Sequence, residues 1–79
     1  MSTTATGGAR VAELRKARGI TQTALARRAG ISVSLLSKIE IGDRALTPAI
    51  AVALARALQI SLSALNGETE VSADQSRLL

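Results

Sequence analysis

The sequence predicts an all-α domain of five short helices. Three observations carry this. Thr21, Ser32, Thr47 and Ser61, residues suited to capping helix N-termini, each stand just before an apolar-periodic segment. Gly19, Gly30, Gly42 and the Asn66-Gly67 pair stand where such segments end. No stretch alternates apolar and polar residues as a half-buried strand requires.

Residues 1–8, Ser/Thr-containing and ending in a Gly pair, read as a flexible N-terminal arm. The first helix is expected from about Ala9 to Arg18. At about 100° per residue, Val11, Leu14, Arg15 and Arg18 fall on one face, so Arg15 shares the apolar stripe. Thr21 caps a second helix, about Gln22 to Ala29, which carries Leu25, Ala26 and Ala29. Ser32 caps a third, about Val33 to Ile41, with Ile31 as an apolar plug between the two. Thr47 caps a fourth, about Pro48 to Leu58. A proline is tolerated at its first position because the missing N–H had no helical partner. Ser61 caps a short fifth helix, Leu62 to Leu65. The folded domain is thus expected over residues 9–67, followed by a C-terminal tail over 68–79 that could serve oligomerisation or partner docking.

Composition narrows the function. The chain has 79 residues, with no Cys, no His and no aromatic side chain. Disulfides and thiolate metal sites are excluded, and the commonest general base and metal ligand are missing. No cofactor is expected, and an enzyme is not indicated, since no acid, base, nucleophile or metal set assembles. Base stacking on aromatic rings is unavailable too. A domain this small buries only about 60% of its unfolded surface, so it needs an efficient aliphatic core or a partner copy. No apolar run approaches the roughly 20 residues that span a membrane. The polar opening has no apolar signal region, and the chain reads as cytoplasmic. Charge is unevenly placed. From Arg10 to Arg44 eight Lys/Arg stand against three Asp/Glu, whereas three acids and one Arg occupy the segment from Glu68. A basic body suggests a polyanionic partner.

The connection Ala29-Gly30-Ile31-Ser32 is too short for an antiparallel hairpin. A glycine-containing turn of this length swings the second helix to a steep angle, giving a helix-turn-helix. On the third helix Leu35, Leu36 and Ile39 share one face. Val33, Ser34, Ser37, Lys38 and Ile41 share the opposite one. Small side chains let such a face enter the major groove, where base edges carry a distinguishable pattern. An ordinary solvated surface has the same look, since Ser/Lys faces are common. Glu40 lies at the edge of the apolar face and needs a partner, because an unpaired buried charge is costly. Arg15, on the inner stripe of helix 1, is the expected partner.

These residues resemble a known family. Leu14-Arg15, Gly19, Thr21-Gln22, Leu25-Ala26, Gly30-Ile31-Ser32 and Ser37-Lys38-Ile39-Glu40 closed by Gly42 look like the Cro/C1-type (XRE) helix-turn-helix family, which includes phage repressors. Thr47 to Leu65 is similar to its fourth and fifth helices. The resemblance implies a compact five-helix, lambda-repressor-like domain that binds double-stranded DNA, usually as a dimer on a palindromic operator. It implies that Val33, Ser34, Ser37 and Lys38 face base edges. It also implies that Gln22 contacts phosphate and buttresses the recognition helix, and that Arg15 and Glu40 form a buried pair. The chain departs from the family at Val33, often a polar reader, and at Ile41, commonly Arg, Asn or Ser. Valine donates no hydrogen bond but can touch a thymine methyl.

Thr21, Gln22, Arg27, Arg28, Ser32 and Arg44 are the expected phosphate contacts, aided by N–H groups at the starts of helices 2 and 3. Arg10, Lys16 and Arg56 read as generic surface charges. Helix 4 is apolar nearly all round, which suggests cover on more than one side. Val52, Leu62, Leu65 and Val71 are the candidates for a homodimer interface. The function expected is a transcriptional regulator, a repressor or a restriction-modification-type controller. The alternative is an antitoxin-type interaction module that also binds DNA and docks a protein partner through its tail.

Overall fold

The structure, a computed structural model, describes residues 7–66. Among the described residues there are five helices and no strand: α1 (Gly7–Ala17), α2 (Gln22–Ala29), α3 (Val33–Glu40), α4 (Pro48–Leu58) and α5 (Leu62–Leu65). The expected tail, with Val71, lies outside the described residues.

Four of the helices begin as the sequence dictates. The side-chain oxygens of Thr21, Ser32, Thr47 and Ser61 accept from the backbone N–H three residues on, at 3.0, 3.0, 3.3 and 3.0 Å. Each bond satisfies one of the donors that a helix start leaves open. The ends of α1 to α4 share one closure. At the turn between α2 and α3, Gly30 is left-handed (φ 76), its N–H reaches Arg27 O, and the Ile31 N–H reaches Ala26 O at 3.0 Å. This pair of bonds is the Schellman motif, which favours glycine at the left-handed position. The end of α4 uses the same two bonds with Gln59 at φ 60. A side chain there is strained, and the sequence carries no glycine to announce it.

Three boundaries differ from the sequence reading. α1 begins at Gly7 rather than Ala9, so the Gly pair assigned to the arm forms the first helical turn. α1 also stops at Ala17, one residue before Arg18. Ile41 is the C-cap of α3 rather than its last helical residue.

The core is aliphatic, as a chain without aromatics requires. Val11, Leu25, Leu36, Ile39 and Leu54 are fully sealed, with Leu58 and Leu65 nearly so. α2 packs on α4, α1 packs on α3, and α5 closes the far side against α1 and α4. Each buried Leu or Ile contributes about 1.5–3 kcal/mol by leaving water. Truncating Leu36, fully buried in the core, to Ala would cost about 2–5 kcal/mol. No helix among the described residues is long and apolar enough to cross a membrane.

Candidate nucleic-acid interface

α3 carries the inner and outer faces the sequence separates. Leu36 and Ile39 are sealed inside. On the outer side Ser34 and Lys38 are exposed, Ser37 is partly covered, and Val33 keeps 39% of its surface. Ile41, at the end of the helix, is 73% exposed, the most of any large apolar side chain among the described residues. The face is therefore open, lightly decorated and of one positive charge.

The C-terminal end of α3 is held by a buried polar network. Arg15 Nε donates to Glu40 Oε2 at 2.8 Å and Nη2 donates to Glu40 Oε1 at 3.1 Å. The two side chains retain only 11% and 5% exposure. This fork-on-carboxylate geometry is stronger and more directional than a single contact. Arg15 Nη1 also donates to the Ile20 carbonyl at 2.9 Å, tying in the turn between α1 and α2. Gln22 Nε2 donates to Glu40 Oε1 at 2.8 Å, so α2 joins the same carboxylate. The expected Arg15–Glu40 pair is present. The Gln22 bond gives the buttressing of α3 a specific atom.

The candidate phosphate contacts frame α3 at both ends. Through Gln22 the start of α2 lies beside the end of α3, next to Arg44, whose N–H donates to Lys38 O at 3.2 Å. Ser32 opens α3 at the other end, shortly after Arg27 and Arg28; all three are exposed. The hydroxyls of Thr21 and Ser32 act as cap acceptors, which leaves their O–H hydrogens able to donate to an anion. The first-turn N–H groups at the starts of α2 and α3 favour negative charge.

Two expectations need correction. Leu65, assigned to a subunit interface, is 1% exposed and belongs to the core, because the short α5 turns that residue inward against α1 and α4. Val52 and Leu62 remain 41% exposed. Arg10 is not a generic surface charge: its Nη2 donates to the Ala64 carbonyl at 3.3 Å, fastening α5 to α1, and Nη1 lies 4.0 Å from Glu13. A contact missed outright is that of Gly8, which is buried where α1 crosses the end of α3. The available signal was its spacing, since Gly8, Val11 and Arg15 share one helical face.

The helix-turn-helix family matches residues 11–65, most of the described chain. The chain belongs to the helix-turn-helix family, in its Cro/C1-type branch. Among solved structures it is similar to the restriction-modification controller protein C.AhdI from Aeromonas hydrophila, at 36% identity and TM-score 0.72, over 75% of this chain and 89% of that one. It is also similar to the DNA-binding domain of the P22 C2 repressor, at 32% identity and TM-score 0.75, over 82% of this chain and 84% of the other. None of the curated proteins compared with the chain matches it. The Cro/C1 resemblance and the lambda-repressor-like fold class both hold.

Proposed function

We propose that this helix-turn-helix protein is a sequence-specific, double-stranded-DNA-binding regulator of transcription that acts by binding rather than by catalysis, in the cytoplasm. The observation that carries this reading is the state of α3. Its inner face is sealed, its end is fixed by Glu40 to α1 and α2, and its outer face is open. A helix held this way can enter a major groove as a rigid unit. Val33, Ser34, Ser37 and Lys38 then face base edges. Ser and Lys supply hydrogen bonds, and Val33 supplies apolar contact to a thymine methyl. Thr21, Gln22, Arg27, Arg28, Ser32 and Arg44 fix the register on phosphates. With so few base-reading donors, sequence-dependent DNA shape carries part of the specificity.

A single domain reads a short half-site, and a two-fold dimer doubles it at a spacing of about 34–36 Å. Val52 and Leu62, half-exposed on α4 and α5, are the apolar residues that such a dimer would cover. Repression or control then follows from protein concentration through dimerisation.

The test is selection of sites from random duplex DNA with the purified protein, with sedimentation on the selected site. A recurrent, two-fold-symmetric motif bound by two protomers is expected. Its affinity should fall with salt at a slope of about −0.9 for each phosphate neutralised. Recovery of no common motif, with a salt slope near zero, would contradict the reading.

A further inference from the structure

Gly8 sits where the first turn of α1 meets the last turn of α3. An ideal Cβ built there falls well inside contact distance of the Ile39 carbonyl oxygen, 2.7 Å from the carbonyl carbon and 3.4 Å from Ile39 Cγ2. The obstacle is backbone, not the far end of a flexible side chain. The Ile39 carbonyl is itself part of the closure of α3, accepting from the Gly42 N–H at 3.1 Å. One residue on, Glu40 takes the Arg15 fork. Gly8 and Arg15 are two turns apart on one face of α1, and they meet consecutive residues at the end of α3.

We propose that Gly8 and Arg15 form a two-point clamp that sets the tilt of α3, which makes Gly8 a positioning residue for base readout. The proposal rests on α3 reading bases, as argued above. Magnitudes decide whether the contact matters. Carbon–oxygen contacts settle at about 3.3–3.6 Å, so a methyl on Gly8 forces the two backbones apart by roughly 1 Å or more. Base-reading side chains tolerate misplacement of only about 0.5 Å. The first turn of α1 is not free to yield. Val11 is sealed in the core, and Arg10 is fastened to the Ala64 carbonyl on α5. α3 is held on its inner side by Leu36 and Ile39 and open on its outer side, so the separation is taken up as a change in its angle to α1.

The experiment compares the full chain with Gly8→Ala and with Gly7→Ala. The second variant is the control, because the atoms nearest a Cβ on Gly7 belong to the flexible Leu46 side chain, at 3.0 Å for its Cδ2, and not to backbone. Affinities for the selected duplex and for a scrambled duplex are measured at a temperature where circular dichroism shows each protein fully folded. For Gly8→Ala, the ratio of specific to non-specific affinity should fall at least tenfold while scrambled-duplex affinity stays within about twofold, since phosphate contacts tolerate small tilts. Gly7→Ala should keep the wild-type ratio. A folded Gly8→Ala protein that keeps the ratio and loses only melting temperature would overturn the proposal, leaving Gly8 as a packing spacer. If Gly8→Ala alone does not fold, it is combined with Gln59→Gly, which relieves the left-handed strain at the end of α4. Failure of that double variant to fold would likewise make Gly8 a folding residue only. Absence of any sequence preference in the wild-type chain would remove the base-reading premise itself, a result distinct from failure of the clamp.

Discussion

The two ends of α3 are held in different ways. At its start the helix has one cap bond from Ser32 and an exposed first turn bearing Val33 and Ser34. At its end, the Glu40 carboxylate takes three hydrogen bonds from two other elements, and the Ile39 carbonyl lies against Gly8. The contrast separates two tasks. Reading needs side chains that reach out from an uncrowded surface. Orientation needs rigid attachment to the body. Attachment is at the C-terminal end of α3, which leaves its open side for the base reading proposed above. The family pattern Arg15…Glu40 can be understood as that attachment, independent of which bases are read.

Substitutions at each end should therefore differ in kind. The largest effect belongs to Arg15→Ala. It leaves the Glu40 carboxylate nearly buried without its fork, and should cost about 3–5 kcal/mol. That is a large share of the 5–15 kcal/mol typical of a whole domain, on the order of half. Urea denaturation will show it as a lowered midpoint with an unchanged slope. A loss below 1 kcal/mol or so would mean that the fixed end is not fixed by this pair.

Gln22→Ala comes next. It removes one hydrogen bond to a charged acceptor but leaves the Arg15 fork, so about 1.5–3 kcal/mol is expected as an upper range. A double-mutant cycle with Glu40→Gln should show strong coupling, because both changes act on one carboxylate. Independent, additive losses would separate Gln22 from the network.

Ser32→Ala tests the open end. Loss of a single N-cap oxygen costs about 1 kcal/mol, and thermal unfolding should report it. Lys38→Ala should be the mildest for folding, within about 0.5 kcal/mol, since the side chain is exposed. Its signature lies elsewhere: discrimination at the base position Lys38 reads should relax by about 1–3 kcal/mol, with binding to a scrambled duplex changed much less. If Lys38→Ala destabilised the fold as much as Arg15→Ala, the division between the two ends would fail.

Much of this architecture is legible in sequence because it is local. A Ser or Thr before an apolar run caps the run whatever the rest of the chain does, and Thr21, Ser32, Thr47 and Ser61 all cap as expected. The Arg15–Glu40 pair is also legible, because helical spacing puts both charges on inward faces where neither can stay alone. What escaped depends on tertiary approach. A Gly pair after a Ser/Thr-containing stretch reads as flexible. Only the crossing of α1 over Ile39 shows that Gly8 must lack a side chain. Leu65 looks like part of an outer apolar surface until α5 is docked, which turns it into the core. Gln59 adopts a glycine-like conformation because the Ile60 N–H bond to Ala55 O and the packing of α5 require it, and no residue type signals that. Among the candidate site residues, the positions on α3 follow from periodicity, whereas the Gln22 bond to Glu40 needed the angle between α2 and α3.

The open side of α3 is the surface proposed to meet DNA. Titration of the isotopically labelled full chain with its selected duplex, followed by amide chemical shifts, addresses it most directly. The largest changes should fall at Thr21 and Gln22 and from Ser32 to Lys38, with Val52 and Leu62 unaffected by the DNA once dimerisation is saturated. Changes centred on α4 and α5, with Ser34, Ser37 and Lys38 silent, would contradict the account.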